Sequence, residues 1–434
     1  MIYQIFLRTF TPEGTLAAAE KLLGHIKSLG CDYIYLSPTF VHDQDDDPKY
    51  LSARQKVCGL GNPSNPYRMK DFYHTDPEYG TDEDLRRFVE SAHALGMKVM
   101  FDLVYFHCGP KAVFLDEHPD FIVRGEDGDV LLGEWAFPML DYDNPELREY
   151  MWQNMEYLVR EFDADGFRCD VGDRVPIDFW IEGRRRVKAI KSDFIMLIEG
   201  LYEPRWREAF DLIYEFWLSK SMKDVISGNQ PAAHIAERRK EYEDNYIYGG
   251  TTLLNWENHD YANDAYDKRP DAVYPPAAVE TMLLLIFTLR GEPFLYAGNE
   301  IADSRRHSIW GNRFHSANLI IDWQNALTAE GAERLKLVRT LSALRHERPE
   351  LSSEAGIEFV DSGDEGCLAF IRESDAGALA VIVNLRDRTA LTETSITIGK
   401  MKPVLMRGAA LSRSDNGNIC AELKPYGFAI VKIK

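Results

Sequence analysis

Four carboxylic acids stand at or near the ends of short apolar runs: Asp102, Asp170, Glu199 and Asp260. Arg168 stands two positions before Asp170, and in a strand those two side chains point to the same face. Strand positions normally carry valine or isoleucine, so acids that are buried there need a partner or a function. Carboxyl groups that converge beside an arginine are suited to acid, base and nucleophilic chemistry.

One reaction uses such a set of acids well. Retaining glycoside hydrolysis needs a carboxylate nucleophile and a carboxylic acid about 5–5.5 Å apart across the bond to be broken. Burial and a neighbouring anion raise the pKa of the acid, which keeps it protonated near neutral pH. A third carboxylate can hold sugar hydroxyls, and an arginine keeps the nucleophile ionised. Two histidines near the same strand ends, His107 and His259, could hydrogen-bond sugar hydroxyls.

Strand-like and helix-like segments alternate from residue 1 to about residue 345. We predict eight strands: Tyr3–Phe6, Tyr33–Leu36, Lys98–Val104, Gly166–Asp170, Phe194–Ile198, Asp211–Tyr214, Leu253–Trp256 and Phe294–Tyr296. Helical periodicity lies between them, at Leu16–Leu29, Asp82–Leu95, Glu146–Phe162, Ala277–Leu289 and Ala329–Arg345. The alternation predicts an α/β fold, a (β/α)8 TIM barrel. Because a barrel gathers the carboxyl ends of its strands at one mouth, we expect the acids to converge there.

Two stretches depart from this alternation. Residues 107–143 form a long connection after the third strand, and barrels place substrate-binding machinery in such loops. After about Leu351, short alternating runs replace the helical period and predict a C-terminal all-β sandwich. We therefore predict three parts: a catalytic barrel over 1–106 and 144–347, a short inserted loop domain over 107–143, and the sandwich over 348–434.

The composition narrows the range of partners. The chain has 434 residues, with 50 lysines and arginines against 70 aspartates and glutamates, a formal charge of −20. This acidic excess repels phosphate backbones and argues against nucleic-acid binding. The longest apolar run, Met282–Leu289, is far shorter than the roughly 20 residues of a membrane span. The six cysteines are scattered and are interpreted as reduced thiols, so we expect a cytoplasmic protein unless a signal peptide has been removed.

The chain resembles the α-amylase family of glycoside hydrolases over essentially its full length. The similar segments are Leu29–Pro38, Tyr67–Tyr73, Asp76–Thr81, Asp102–His107, Gly166–Asp170, Glu199–Gly200, Asn258–Asp260 and Gly291–Glu300. The resemblance implies a barrel with a loop domain after the third strand and a C-terminal β-sandwich. This agrees with the two irregular stretches.

The resemblance also implies roles for individual residues. It implies three catalytic acids: the nucleophile Asp170, the general acid/base Glu199 and the transition-state stabiliser Asp260. It implies four residues that line the subsite for the attacked sugar: Tyr67, His107, Arg168 and His259. Asp102 would be a structural partner of Arg168. None of these residues is expected to bind a metal.

The chain departs from the family pattern at Phe106, where the family usually carries an asparagine that helps to bind a structural calcium ion. Phenylalanine supplies no oxygen, and calcium needs six to eight oxygen ligands. We therefore do not expect that calcium site, and we interpret Asp43–Asp47 as a solvated loop. Phe137–Asp141 and Asp170–Val175 resemble the neopullulanase and cyclomaltodextrinase branch, which the chain would match without that branch's N-terminal β domain.

We expect a retaining α-glucan hydrolase that cleaves α-1,4 bonds of maltooligosaccharides or starch fragments without a cofactor. A transglycosylase of the same family stays open, because it uses the same covalent intermediate. A non-catalytic glucan-binding relative and a metal-dependent barrel enzyme rank lower, since all three acids are present and the histidines have other roles. Trp180 and Tyr202 are candidates for sugar stacking or for core packing. The sequence does not indicate the oligomeric state.

Overall fold

The computed structural model describes residues 1–201, 203–261 and 268–433. Residues 2–296 contain eight parallel strands: β1 (Ile2–Ile5), β2 (Tyr33–Leu36), β3 (Lys98–Leu103), β4 (Gly166–Cys169), β5 (Ile195–Ile198), β6 (Leu212–Tyr214), β7 (Thr251–Leu254) and β8 (Glu292–Tyr296). Each strand pairs with the next in chain order, and β1 pairs with β8 to close the barrel. The predicted TIM barrel is therefore confirmed, and each predicted strand overlaps an observed one.

The helices pack around this barrel. They are α1 (Leu7–Phe10), α2 (Leu16–Glu20), α3 (Leu23–Ser28), α4 (Ala53–Cys58), α5 (Asp82–Ala94), α6 (Pro145–Phe162), α7 (Ile177–Ile190), α8 (Phe216–Ile226), α9 (Ala233–Tyr242), α10 (Pro270–Val273), α11 (Pro276–Thr288) and α12 (Ala329–Glu347). The single helix predicted over Leu16–Leu29 is two helices. The Leu22 N–H donates to the Ala19 carbonyl in a tighter turn, and the chain resumes as α3 with Leu23 and Ile26 buried.

The stretch after β3 is compact and contains little regular structure. A hairpin-like arm, residues 122–140, is held by bridges between Ile122 and Leu140 and between Leu132 and Pro138. At its tip Ala136 has a φ of 64°, a left-handed conformation that is uncommon for a residue other than glycine. The arm folds back so that Met139 pairs with His107, which brings the tip over the barrel mouth.

The C-terminal part is all-β, as predicted, and its strands form an antiparallel sheet. Its strands are β9 (Gly356–Val360), β10 (Cys367–Ser374), β11 (Gly377–Asn384), β12 (Ala390–Thr397), β13 (Lys402–Arg413) and β14 (Asn418–Lys432). The order is β12-β14-β11-β10-β9, and β13 pairs along β14. A separate small core lies inside this part, with Ile382, Ile396 and Leu423 among its members.

Helix α11 explains the longest apolar run of the sequence. Its residues from Ala278 to Thr288 are buried, because it contacts β8, α12 and β14 and is therefore covered on several sides. A helix that is buried all round is apolar all round. Within the described ranges, no helix is both long enough and apolar enough to span a membrane.

Candidate active site

Arg168 is the centre of the polar cluster at the barrel mouth. Its Nη1 donates to Asp102 Oδ1 at 2.9 Å and to Asp170 Oδ1 at 2.7 Å, and its Nη2 lies 2.7 Å from Glu199 Oε2. The three acids come from the neighbouring strands β3, β4 and β5. Asp102 is in register with Arg168, so the strand pairing itself sets the height of these groups. The structure thus brings together four of the residues that the sequence indicated.

The backbone after β4 orients Asp170 and Glu199. The Asp170 N–H donates to the Leu103 carbonyl at 2.9 Å, which extends the strand pairing by one residue. The next residue, Val171, has a φ of 45°, and a β-branched residue in this region is strained. In that conformation its N–H donates to Glu199 Oε2 at 3.0 Å. The strained turn therefore links the end of β4 to the acid after β5.

Asp102 is buried and is occupied by protein partners. Besides Arg168, it accepts hydrogen bonds from Tyr35 Oη at 2.5 Å and from Tyr67 Oη at 3.0 Å. Through these bonds the Asp102 carboxylate holds the side chains of Arg168, Tyr35 and Tyr67. Tyr67 is itself mostly buried and has its ring beside His259, with the two ring planes 9° from parallel.

The two histidines are buried and differ in how their nitrogens are used. In His259, Nδ1 lies 2.7 Å from Gln4 Nε2, and Nε2 lies 2.6 Å from Tyr67 Oη. In His107, Nε2 lies 2.7 Å from the Tyr67 carbonyl, and Nδ1 has no hydrogen-bond partner among the described residues. Burial lowers the pKa of His259, and burial lowers the pKa of His107 to about 4, so both rings are neutral near pH 7.

Asp260 has a partner that the sequence analysis did not identify. Arg54, on α4, donates through Nη1 to Asp260 Oδ1 at 3.1 Å and through Nη2 to the Asp260 carbonyl at 2.8 Å. About a third of the Asp260 side chain is exposed. His259 Nε2 lies 3.5 Å from its other oxygen. No motif marked Arg54, because the contact joins residues 206 positions apart.

The three acids have different electrostatic surroundings. Burial raises the pKa of Asp170 and of Glu199 against the opposing charge of Arg168, and each is raised further by nearby acids. Such a pair titrates as one unit and retains a proton to higher pH than an isolated acid. Burial also opposes ionisation of Asp260, but His259, Arg54 and Arg168 outweigh it and hold the pKa of Asp260 below its ordinary value. The site therefore combines a pair of acids that retains a proton, Asp170 and Glu199, with a third acid that stays ionised, Asp260.

These groups face a cavity of about 110 Å³. Six of its lining residues were predicted as site residues: Tyr67, His107, Asp170, Glu199, His259 and Asp260. The others were not: Ser52, Arg54, Asn65, Trp135, Phe137, Val171, Ile309 and Trp310. Arg168 does not line the cavity itself, but it contacts the carboxylates of the lining residues Asp170 and Glu199. Trp180 is fully buried and donates from Nε1 to the Gly172 carbonyl, which makes it a core residue, and Tyr202 lies outside the described residues.

Metal-ligating residue types approach one another elsewhere, at His42, Asp76 and Glu78. Arg8 already lies there, with Nη2 at 3.0 Å from His42 Nε2 and at 2.8 Å from Glu78 Oε2. A guanidinium group in that position neutralises the acids, so the cluster is interpreted as structural. 

The nearby run Asp43–Asp47 differs in part from the predicted solvated loop, because Asp43 is buried. Its oxygens accept from the N–H groups of Asp45 and Lys111 at 2.7 and 2.8 Å, which ties the loop to the inserted stretch. Phe106, at the departure from the family's calcium motif, packs against the rings of His107 and Trp135.

Comparisons with known proteins identify the family of the chain. The family described as alpha amylase, catalytic domain, matches residues 6–122 and 132–334. The chain is 26% identical over 404 residues to a maltogenic alpha-amylase of Bacillus acidopullulyticus, covering 86% of this chain and 62% of that protein. It is 25% identical over 455 residues to a cyclomaltodextrinase of Geobacillus thermopakistaniensis, covering 97% and 70%. The chain thus spans about three fifths of the length of the maltogenic relative.

A solved structure shows the same fold. The noncanonic maltogenic alpha-amylase from Thermotoga neapolitana superposes with a TM-score of 0.84 at 23% identity, covering 100% of this chain and 98% of that one. The relatives also fit the predicted neopullulanase and cyclomaltodextrinase-like branch. Because the family match covers well over half of the sequence and contains the barrel strands that carry the acids, the chain belongs to the alpha-amylase family of glycoside hydrolases.

Proposed function

We propose that the protein is a retaining α-glucan hydrolase that cleaves α-1,4 bonds in maltooligosaccharides or starch fragments. The observation that carries this proposal is the shared contact of Asp170 and Glu199 with the two terminal nitrogens of Arg168, at 2.7 Å each. Two carboxyl groups held by one guanidinium face the same small volume. This favours the short spacing of about 5–5.5 Å that a retaining mechanism uses over the wider spacing of an inverting one.

In the first step, an oxygen of Asp170 attacks the anomeric carbon of the bound sugar. The bond from that carbon to the glycosidic oxygen breaks, and Glu199 gives its proton to the departing oxygen. The product of this step is a glycosyl ester on Asp170 and a shortened chain with a free hydroxyl. Burial raises the pKa of the Asp170–Glu199 pair, which favours retention of the proton that Glu199 donates in this step.

In the second step, Glu199 takes a proton from water, and the water oxygen attacks the same carbon. The ester bond breaks, Asp170 leaves as a carboxylate, and Glu199 is protonated again. Two displacements at one carbon restore the original α configuration. The reaction as proposed needs no metal and no organic cofactor.

The remaining polar groups bind the sugar as positive charge develops on its ring. Asp260 is held ionised and contributes a fixed negative charge to the same cavity. The free Nδ1 of His107 and the ring of Tyr67 are available for a hydroxyl group and for stacking. Arg168 keeps Asp170 oriented, and Asp102 holds Arg168.

The proposed substrate class is supported by the relatives, which include a maltogenic alpha-amylase and a cyclomaltodextrinase. We expect short α-glucans, because the mouth is narrowed by Trp135, Phe137 and Trp310. A cytoplasmic location stays a prediction. It is supported by the six scattered cysteines, which we interpret as reduced thiols, as expected in a reducing compartment.

The direct test is incubation with maltoheptaose, with and without a chelator, followed by chromatography and proton NMR. We expect shorter products that carry the α anomer when first released, at the same rate with the chelator present. Initial release of the β anomer would contradict the retaining mechanism. Products longer than maltoheptaose would indicate the transglycosylase, and the absence of any products from folded protein would contradict both.

A further inference from the structure

One side of the cavity is walled by residues 52–65, a segment that we call the α4 wall. It follows β2 and contains α4, which begins after the capping residue Ser52. Gln55 Nε2 donates to the carbonyls of Asn62 at 2.9 Å and of Pro63 at 3.2 Å. These bonds fold the segment onto itself, so it forms a compact wall instead of an extended loop.

The α4 wall is tied to the loop after β8. Asn62 Nδ2 donates to the Trp310 carbonyl at 2.7 Å, and the Arg54 guanidinium lies 5.8 Å from the centre of the Trp310 ring. Trp310 is 2% exposed, and its Nε1–H has no hydrogen-bond partner among the described residues. A buried donor without a partner is costly, and a sugar hydroxyl in the cavity that Trp310 lines would satisfy it.

Arg54 also connects the α4 wall to the loop after β7. Its guanidinium holds both the side chain and the backbone carbonyl of Asp260. The loops after β2, β7 and β8 therefore meet at one arginine. An open cleft that runs past the acids on this side would require these contacts to be broken.

The strand order indicates which end of a bound substrate this closed side faces. In a ring of eight strands in chain order, β4 and β5 lie opposite β8 and β1. Asp170 and Glu199 follow β4 and β5, whereas Arg54 and Trp310 lie in the loops that follow β2 and β8, on either side of β1. The departing chain must leave on the side of the proton donor Glu199. The closed side therefore faces the part of the substrate that carries the non-reducing end.

We propose that Arg54 and Trp310 close the cavity at its non-reducing side, so that the site accepts the end of a glucan chain instead of an internal segment. Arg54 is then a specificity-determining residue, and the protein releases short products from chain ends. This inference rests on the proposed function, because it assumes that Glu199 protonates the departing oxygen. It adds the mode of attack, which the family membership does not settle.

The test compares two substrates that differ only at one end. One is maltoheptaose with a chromogenic group at its reducing end, and the other is the same compound with a 4,6-O-ethylidene acetal on the non-reducing glucose. An enzyme that needs a free chain end cannot seat the acetal. We expect the wild-type protein to cleave the blocked compound at least about 100-fold more slowly, by kcat/KM. With the free compound, one short product should dominate from the earliest times.

Two variants test the part played by Arg54. Arg54→Ala opens the wall, and Arg54→Gln keeps a shorter polar side chain in case the first variant is poorly folded. For each variant, kcat/KM for the free compound divided by kcat/KM for the blocked compound is expected to be about 10-fold smaller than for the wild type, whatever the effect on the absolute rate. Arg160→Ala is the control, because Arg160 is an exposed residue of α6 that pairs with Glu156 on the outer surface. Its ratio should equal that of the wild type.

The outcomes separate the two proposals. Equal cleavage of both compounds by the wild type would overturn chain-end selection and leave the hydrolase intact. Discrimination that persists unchanged in folded Arg54→Ala and Arg54→Gln would overturn the assignment of Arg54. Failure of the folded wild type to cleave even the free compound would instead contradict the proposed function itself.

Discussion

At the scale of single residues, one buried guanidinium organises the site. Arg168 is 1% exposed and contacts three carboxylates, one on β3 and the other two directly after β4 and β5. In such a place the charges are poorly screened, and removing the arginine would leave buried acids without a counter-charge. The stability of the site and the proposed chemistry therefore both depend on the Arg168 guanidinium. The acids around it can be tested separately, because isosteric amides keep their shape.

Asp170→Asn is predicted to lower kcat by about 10⁴-fold or more, because an amide cannot form the covalent ester. The measurement is the rate of maltoheptaose cleavage, with the melting temperature as a check on folding. Asp178→Asn is the matched control, since Asp178 is an exposed residue that pairs with Arg148. A wild-type rate in Asp170→Asn would show that the nucleophile is a different residue.

His107 is predicted to make stability depend on pH. Burial lowers the pKa of His107 to about 4 in the folded protein, against an ordinary value of 6.5. The unfolded chain then binds more protons between these values, so stability is lost as the pH falls from about 6.5 to about 4. The loss amounts to about 3 kcal/mol.

The measurement is the melting temperature of the wild type and of His107→Gln as a function of pH. We expect the variant to be less stable than the wild type near pH 7 and to lose less stability on acidification. Parallel curves for the two proteins would show that His107 does not titrate in this range.

At the scale of elements, the arm of residues 122–140 and the α4 wall approach the acids from two loops of the barrel. The arm carries Trp135 to the cavity, where its ring lies 5.7 Å from that of His107. The left-handed backbone at Ala136 turns the chain directly after Trp135. A strained residue beside a cavity-lining aromatic ring is consistent with a ring that is held in place for binding.

Trp135→Ala is predicted to raise the KM for maltoheptaose about 10-fold with a smaller effect on kcat, because the ring contributes stacking area. Trp135→Phe should recover most of the affinity. Leu131→Ala, at an exposed position of the same arm, serves as the control. A change in kcat alone would place Trp135 in the chemical step.

At the scale of the whole molecule, the C-terminal sheet is anchored to the barrel by Arg372. This buried residue of β10 donates to four carbonyls: Thr288 at the end of α11, Ser352, Ala355 and Gly356. Because the last carbonyls of a helix lack partners within it, the guanidinium satisfies a group that would otherwise be buried and unbonded. The two parts are thus joined through helix α11.

Arg372→Met is predicted to lower the free energy of unfolding by about 2–4 kcal/mol, since it leaves buried carbonyls without donors. The measurement is denaturation by urea and by heat. Arg388→Ala, which removes an exposed pair with Asp364, should change stability by less than about 1 kcal/mol. Equal effects of the two substitutions would contradict an anchoring role for Arg372.

Much of the barrel and of the candidate site was predictable from the sequence. The strands, the order of elements and the acids at the strand ends follow from patterns that span a few residues, because alternation and apolar runs reflect local burial. Arg168 and Asp170 could be placed on one face by the two-residue period of a strand. The C-terminal part was predicted only as a set of short alternating runs, and β9 carries little burial signal because it is short and exposed or half-buried throughout.

Only the tertiary structure decided how the cavity is closed. The contact of Arg54 with Asp260 joins residues 206 positions apart, and the bond from Asn62 to Trp310 joins residues 248 positions apart. No periodicity records such contacts, because they depend on how three loops pack together over the barrel mouth. The sequence by itself predicted which groups would carry the proposed chemistry. The packing of the loops determined the shape of the cavity that these groups face.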